Sequence, residues 1–216
     1  MRVKRLRRFL TIQAMGIFSA MLLLNGCVNQ PAVPQDYFYR LPELKPRTPD
    51  AINLINGVLS VDELQAEGVY RERPILYVDS QRPLEVVQYH YRHWMQTPSQ
   101  LIQDNLVEFL RQANVASRVE RYSGDSSAAL RISGRLQKFE QWVQPSGATA
   151  VVEMEIELRL KTPQGTKKQT RIYQDKVMAE GPAIHDSVAA FGQALQHIYD
   201  KLLADLNAMV ESASTQ

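Results

Sequence analysis

Val152-Glu153-Met154-Glu155-Ile156-Glu157-Leu158-Arg159-Leu160-Lys161 alternates between apolar and charged residues over its whole length. A period of two sends successive side chains to opposite faces of a strand, so this segment has one buried face and one wet face. Pro163-Gln164-Gly165 then reads as a turn, and Lys168 to Val177 returns as the hairpin partner. Upstream, Leu130, Ile132 and Leu136 alternate with Arg131, Arg135 and Gln137 and predict a further strand. Downstream, Val188, Phe191, Leu195, Ile198, Leu202, Leu206 and Met209 recur every three or four residues. That spacing predicts an amphipathic helix of about 25 residues, with its apolar stripe lying across the sheet.

The first half of the chain supplies the rest of the architecture. Tyr37-Phe38-Tyr39-Arg40-Leu41 is a short strand, followed by a Pro-containing loop to Pro49. Further strands are expected within Ile52 to Leu64, Pro74 to Asp79, Leu84 to Trp94 and Val115 to Tyr122, with a loop at Ser123 to Ser127. Thr97-Pro98 opens a helix, Thr97 as N-cap and Pro98 at the first helical position. Leu101, Ile102, Leu106, Phe109, Leu110 and Ala113 share one face of it. The fold class is therefore α+β: a mostly antiparallel sheet with two amphipathic helices packed on one face, after a lipoprotein signal peptide.

The signal is read from the first 27 residues. Arg2, Lys4, Arg5, Arg7 and Arg8 precede a mostly apolar run, Phe9 to Leu24. That order is the n-region and h-region of a secretory signal. Leu24-Asn25-Gly26-Cys27 follows directly and resembles a bacterial lipobox. The resemblance implies cleavage between Gly26 and Cys27, diacylation of the Cys27 sulfur and acylation of the new amine. Two acyl chains already give stable anchoring, at ~0.8 kcal/mol per buried CH₂. Val28 and Asn29 follow the cysteine, and no Asp occupies the position next to it. In diderm bacteria an Asp there retains a lipoprotein at the inner membrane, so the resemblance implies the outer membrane, facing the periplasm. Residues 1–26 are then signal peptide, 27–36 the lipidated cysteine and tether, 37–211 a single domain and 212–216 a tail.

Removing residues 1–26 leaves 20 Lys+Arg against 23 Asp+Glu, so the net charge moves from +2 to −3. The basic excess belongs to the signal, which argues against a nucleic-acid footprint and against an electrostatic membrane patch. Cys27 is the only cysteine, so the chain has no internal disulfide and no thiolate zinc site. Val28 to Asp36, with two prolines, reads as a tether reaching at most ~30 Å.

Signals for catalysis are weak. The chain has no G-x-S-x-G, H-E-x-x-H, phosphate loop or dinucleotide fingerprint, and no catalytic residue, metal site or cofactor is assigned. His90 and His93 lie three apart in an expected strand and so point to opposite faces. His185 and His197 read as solvent-exposed. Glu153, Glu155 and Glu157 continue into Arg159 and Lys161, which makes them a charged outer face. Tyr89, Tyr91 and Trp94 have two readings: an interface set, since Tyr and Trp offer area and a polar tip, or sheet core beside the first helix.

The order of these pieces carries a resemblance. A lipobox precedes Tyr37-Phe38-Tyr39-Arg40-Leu41; Pro74-Ile75-Leu76-Tyr77 precedes Tyr89-His90-Tyr91-Arg92-His93-Trp94, then Pro98, Leu101 and the helix. Later comes a strand pair around Leu136-Gln137-Lys138-Phe139-Glu140 and Glu155 to Leu160, and a long helix closes the chain. The whole resembles the auxiliary lipoprotein family of ABC-type, mammalian-cell-entry (MCE) intermembrane transport systems. His93 departs from members with Arg directly before the Trp; here Arg92 is one place earlier. The resemblance implies a noncatalytic component that docks on or stabilises a conduit for phospholipid or another hydrophobic cargo. Its implied partners are an MCE-domain tunnel protein and its inner-membrane permease, with the outer membrane held through the lipid anchor. A closed homo-oligomer fits the symmetry of a tunnel. Two alternatives stay open: a regulatory or scaffolding lipoprotein for cell-wall synthesis or outer-membrane assembly, and a hydrolase resting on His90, His93 and Ser126.

Overall fold

The alternating segment at residues 152–161 lies inside the longest strand of an eight-stranded sheet. The computed structural model describes residues 33–47, 54–124 and 127–214; Gly26, Cys27, most of the expected tether and Ser126 lie outside them. In chain order the elements are β1 (Tyr37–Tyr39), β2 (Ile55–Val61), a 3₁₀ turn (Gly68–Arg71), β3 (Pro74–Asp79), β4 (Val87–Trp94), α1 (Pro98–Gln112) and β5 (Ala116–Arg121). Then come β6 (Leu130–Gln144), β7 (Gly147–Thr162), β8 (Gly165–Met178) and α2 (Ile184–Ser214).

Most of the strand pairing is the antiparallel meander β6–β7–β8, continuous from Leu130↔Leu160 to Gln144↔Gly147 and from Thr149↔Met178 to Thr162↔Gly165. The other edge of β6 is divided. Its first half, Leu130–Ile132, pairs in parallel with Leu59–Val61 of β2, and β5 lies beyond β2. Its second half, Glu140–Val143, pairs in parallel with Leu76–Asp79 of β3, which carries β4 and finally β1. Gln65 bridges Arg135 between the two branches. The α+β class with a mostly antiparallel sheet holds, and parallel pairs join the meander to both branches.

A bulge between Leu136 and Lys138 makes the division workable. Leu130, Ile132 and Leu136 are buried before it, Phe139 and Gln141 after it, so the inward face changes from even to odd residues. At Gly134 the strands approach so closely that an added Cβ would run into the Glu155 carbonyl. Only glycine fits there.

Both helices cover one face of the sheet and share a single core. Thr97 caps α1 as expected, its Oγ1 accepting from Gln100 N at 3.4 Å, with Pro98 in the first turn. The helix α2 runs 31 residues, longer than its apolar stripe predicts. Asp186 accepts from the Ala183 amide at 3.0 Å and extends its start, while the Ser212 and Ser214 hydroxyls bond back to the Met209 and Val210 carbonyls at its end. Phe109 and Tyr199 meet at 5.3 Å between the helices, and the Tyr199 hydroxyl donates to the Ile102 carbonyl at 3.2 Å. Against the sheet, Trp94, Phe139 and Phe191 form a fully buried triad with centroids 4.5 to 5.5 Å apart.

Candidate functional site

Tyr89, Tyr91 and Trp94 lie on β4 but do not form one surface. Trp94 is 1% exposed and belongs to the aromatic triad. Tyr89 stacks on Tyr77 at 4.5 Å, and its hydroxyl donates to Gln141 Oε1 at 2.8 Å. Gln141 Nε2 donates in turn to Ser187 Oγ at 2.6 Å, linking β4 through β6 to the first turn of α2. Burial, and then the nearby Tyr77 hydroxyl, raise the Tyr89 pKa, with Arg92 opposing. These two residues secure the fold. Tyr91 alone of the three is well exposed.

The apolar surface beside Tyr91 comes from the sheet's free edge. β1 is the outermost strand of its branch, and Tyr37, Phe38, Tyr91 and Met95 are 46, 54, 47 and 48% exposed. The arginines arranged on this edge escape a sequence-only reading. Arg92, opposite Tyr37 in the β1–β4 register, places its guanidinium 4.1 Å from the Tyr37 ring centroid. Arg73 lies 5.2 Å from the Phe38 centroid while its Nε donates to the Trp94 carbonyl at 3.2 Å. His93, paired with Phe38, stacks on that ring at 5.6 Å and puts Nε2 3.5 Å from the Asp36 carboxylate. Three consecutive aromatics followed by Arg40 signal this edge in the sequence, but Arg73 reaches it only through the β3–β4 pairing.

The remaining candidates sit elsewhere. His90 is exposed on β4, near Tyr91. His185 is largely exposed beside Asp186, whereas His197 departs from the expected free exposure: its Nδ1 lies 2.6 Å from Asp175 Oδ2. That pair belongs to a polar seam between β8 and α2, where Arg171 and the Tyr173 hydroxyl both bind Asp205 at 2.6 and 2.7 Å. Burial, and then the hydrogen bond to Asp205, hold the Tyr173 pKa well above the usual phenol range. On the sheet's other face Glu153 pairs with Lys138 at 2.8 Å and Glu157 pairs with Arg159, as a charged outer face requires.

Glu140 is a buried acid with no forewarning in the sequence. It is 3% exposed and accepts from the Tyr70 hydroxyl at 2.5 Å and from Trp142 Nε1 at 2.8 Å. The carboxylate thus fastens the 3₁₀ turn to the outer face of the sheet. Burial first, then the hydrogen bond to Glu140, push the Tyr70 pKa far up. An open cleft of about 620 Å³ adjoins this region; besides Leu64, Gln65 and Ala66, two hydroxyls, two carboxylates and Arg71 line it, with no histidine, cysteine or lysine. Among the described residues no group of three or more His, Cys, Asp or Glu side chains is placed to hold a metal ion.

The fold defines the class: an α+β domain in which two helices back one face of a branched sheet. The same architecture occurs in a crystal structure from Xanthomonas campestris, of a protein in family DUF330. The match is at 17% identity, covering 84% of this chain and 100% of that one with a TM-score of 0.67. The crystal structure of an uncharacterized protein matches at 14% identity, covering 80% of this chain and 99% of that one, with a TM-score of 0.62. At these identities the likeness establishes the fold alone. No curated protein matches. The chain belongs to the ABC-type transport auxiliary lipoprotein component family, whose sequence model matches residues 39–202.

Proposed function

We propose that this protein is a noncatalytic outer-membrane lipoprotein that docks on, and stabilises, an MCE-type intermembrane lipid conduit. The observation that carries the reading is family membership over residues 39–202, which makes the domain an auxiliary part of an ABC-type transporter. The lipobox-like Leu24-Asn25-Gly26-Cys27 supports anchoring through Cys27 after cleavage behind Gly26, and the lack of an Asp next to Cys27 supports the outer membrane. The tether at 28–36 holds the 37–211 domain near the bilayer, facing the periplasm. Its partners on this reading are the MCE-domain tunnel protein and the inner-membrane permease that feeds it. The exposed aromatic edge at β1 and β4 supports a contact role for the domain.

The test is in-cell crosslinking of the tagged, lipidated protein followed by mass spectrometry. Recovery of an MCE-domain protein or its permease is expected; recovery of a cell-wall synthase or an assembly barrel instead would overturn the proposal. A second variant isolates the anchor. Cys27→Ser should remain uncleaved and take up no labelled palmitate, and labelling equal to the wild type refutes Cys27 as the attachment site.

A further inference from the structure

We infer that the free edge of β1, with the end of β4 beside it, seats the domain on an anionic phospholipid surface. The inference rests on the reading of Cys27 as a lipid anchor and adds to it a second, direct contact between domain and membrane.

Three observations converge on this edge. The first is its shape. Tyr37 and Phe38 are neighbours on a strand, so their rings lie on opposite faces of the sheet, yet each is about half exposed. Only an approach along the free edge meets both rings at once. Tyrosine rings with polar tips suit the headgroup level of a bilayer, where one end is apolar and the other wet.

The second observation is charge. Arg40, Arg73 and Arg92 lie on or next to β1 and the end of β4 against Asp36 and Glu72, a local excess of +1 in a mature chain whose net charge is −3. Asp36 faces His93 rather than solvent alone. Arg73 and Arg92 are held over Phe38 and Tyr37, so aromatic and cationic groups reach a surface together. Each arginine near an anionic leaflet strengthens partition about five-fold.

The third is reach. Nine residues, Val28 to Asp36, separate the cysteine from Tyr37 and span at most ~30 Å, so this edge is the part of the domain nearest the anchor along the chain. A protein strand is a poorer occupant. β1 has three residues, too short an edge to template the addition of another strand.

The experiment uses the lipidated mature protein reconstituted in vesicles of phosphatidylethanolamine and phosphatidylglycerol, or of phosphatidylcholine alone. Flotation reports the anchor, and hydroxyl-radical footprinting reports the edge. In the anionic vesicles oxidation of Tyr37, Phe38, Tyr91 and Met95 should fall, while Ile172 and Met178 on β8 should not change. Arg40→Gln and Arg92→Gln should each weaken the protection about five-fold, with flotation intact. Flotation with identical footprints in both vesicles overturns the membrane seat and leaves the anchor standing. Failure to float overturns both. Protection that appears only on adding the tunnel protein overturns the seat in favour of a protein-docking edge.

Discussion

Trp94 and Tyr91 stand three positions apart on β4 and do opposite things. The Trp94 indole fills the space between Phe139 and Phe191 and is sealed from water, whereas the Tyr91 ring is half in solvent. Truncating the first removes a large side chain from a close-packed triad and leaves a cavity. Trp94→Ala should therefore cost about 3–5 kcal/mol in urea unfolding. Tyr91→Ala should stay within about 0.5 kcal/mol of the wild type. Equal costs would mean that the two rings share one environment. Residue type alone could not separate them, because an aromatic with a polar tip suits a core and an interface alike. Glu140 poses the same difficulty in reverse. A glutamate beside alternating charges reads as solvated, yet Tyr70 and Trp142 close over it and satisfy both oxygens.

At the level of elements, α2 carries an instructive exception to helix propensity. Gly192 is buried within it, and a Cβ there would run into the ring of Pro42, in the segment that follows β1. Alanine normally gains up to about 1 kcal/mol over glycine inside a helix, but overpacking costs about 1–3 kcal/mol. The steric effect should win, so Gly192→Ala should lower stability by about 1 kcal/mol and speed proteolysis between residues 40 and 47. A rise in the urea midpoint would show that Pro42 yields freely. Elements governed by near neighbours were legible in the sequence: β3 runs from Pro74 to Asp79 as expected, α1 starts at its Thr97 cap, and the β7–β8 hairpin follows from period and turn. The divided edge of β6 was not. Its parallel partners β2 and β3 come from distant sequence, and the bulge after Leu136 erases the alternation that would have traced the strand to Gln144. The edge site was half legible for a similar reason: Tyr37, Phe38 and Tyr91 stand out as aromatics, but their arginine partners are set by register and strand neighbours.

Across the whole molecule, three phenols tie separate parts of the fold together: Tyr70 on the 3₁₀ turn, Tyr173 on β8 and Tyr199 on α2. Burial is the largest cause in each case, and all three titrate above the ordinary value near 10. The folded chain thus keeps protons that the unfolded chain releases. Their contribution to stability is complete below pH ~10 and is lost as pH rises above it. Urea midpoints should fall steeply from about pH 10 upward. Tyr199→Phe, which removes one hydrogen bond worth about 1 kcal/mol, should narrow its deficit against the wild type over that range. A deficit that stays constant past pH 10 would mean that Tyr199 ionises alike in both states. The position of β1 has a mechanical consequence. In a chain held by its N-terminus and gripped by a partner at its far side, tension enters the fold at three residues paired to β4 alone. That strand is the weak link and should peel first. Immediately behind it, Leu41 and Leu44 are sunk in the core and Pro42 is wedged against Gly192, a catch that would stop the tear before it reached the sheet.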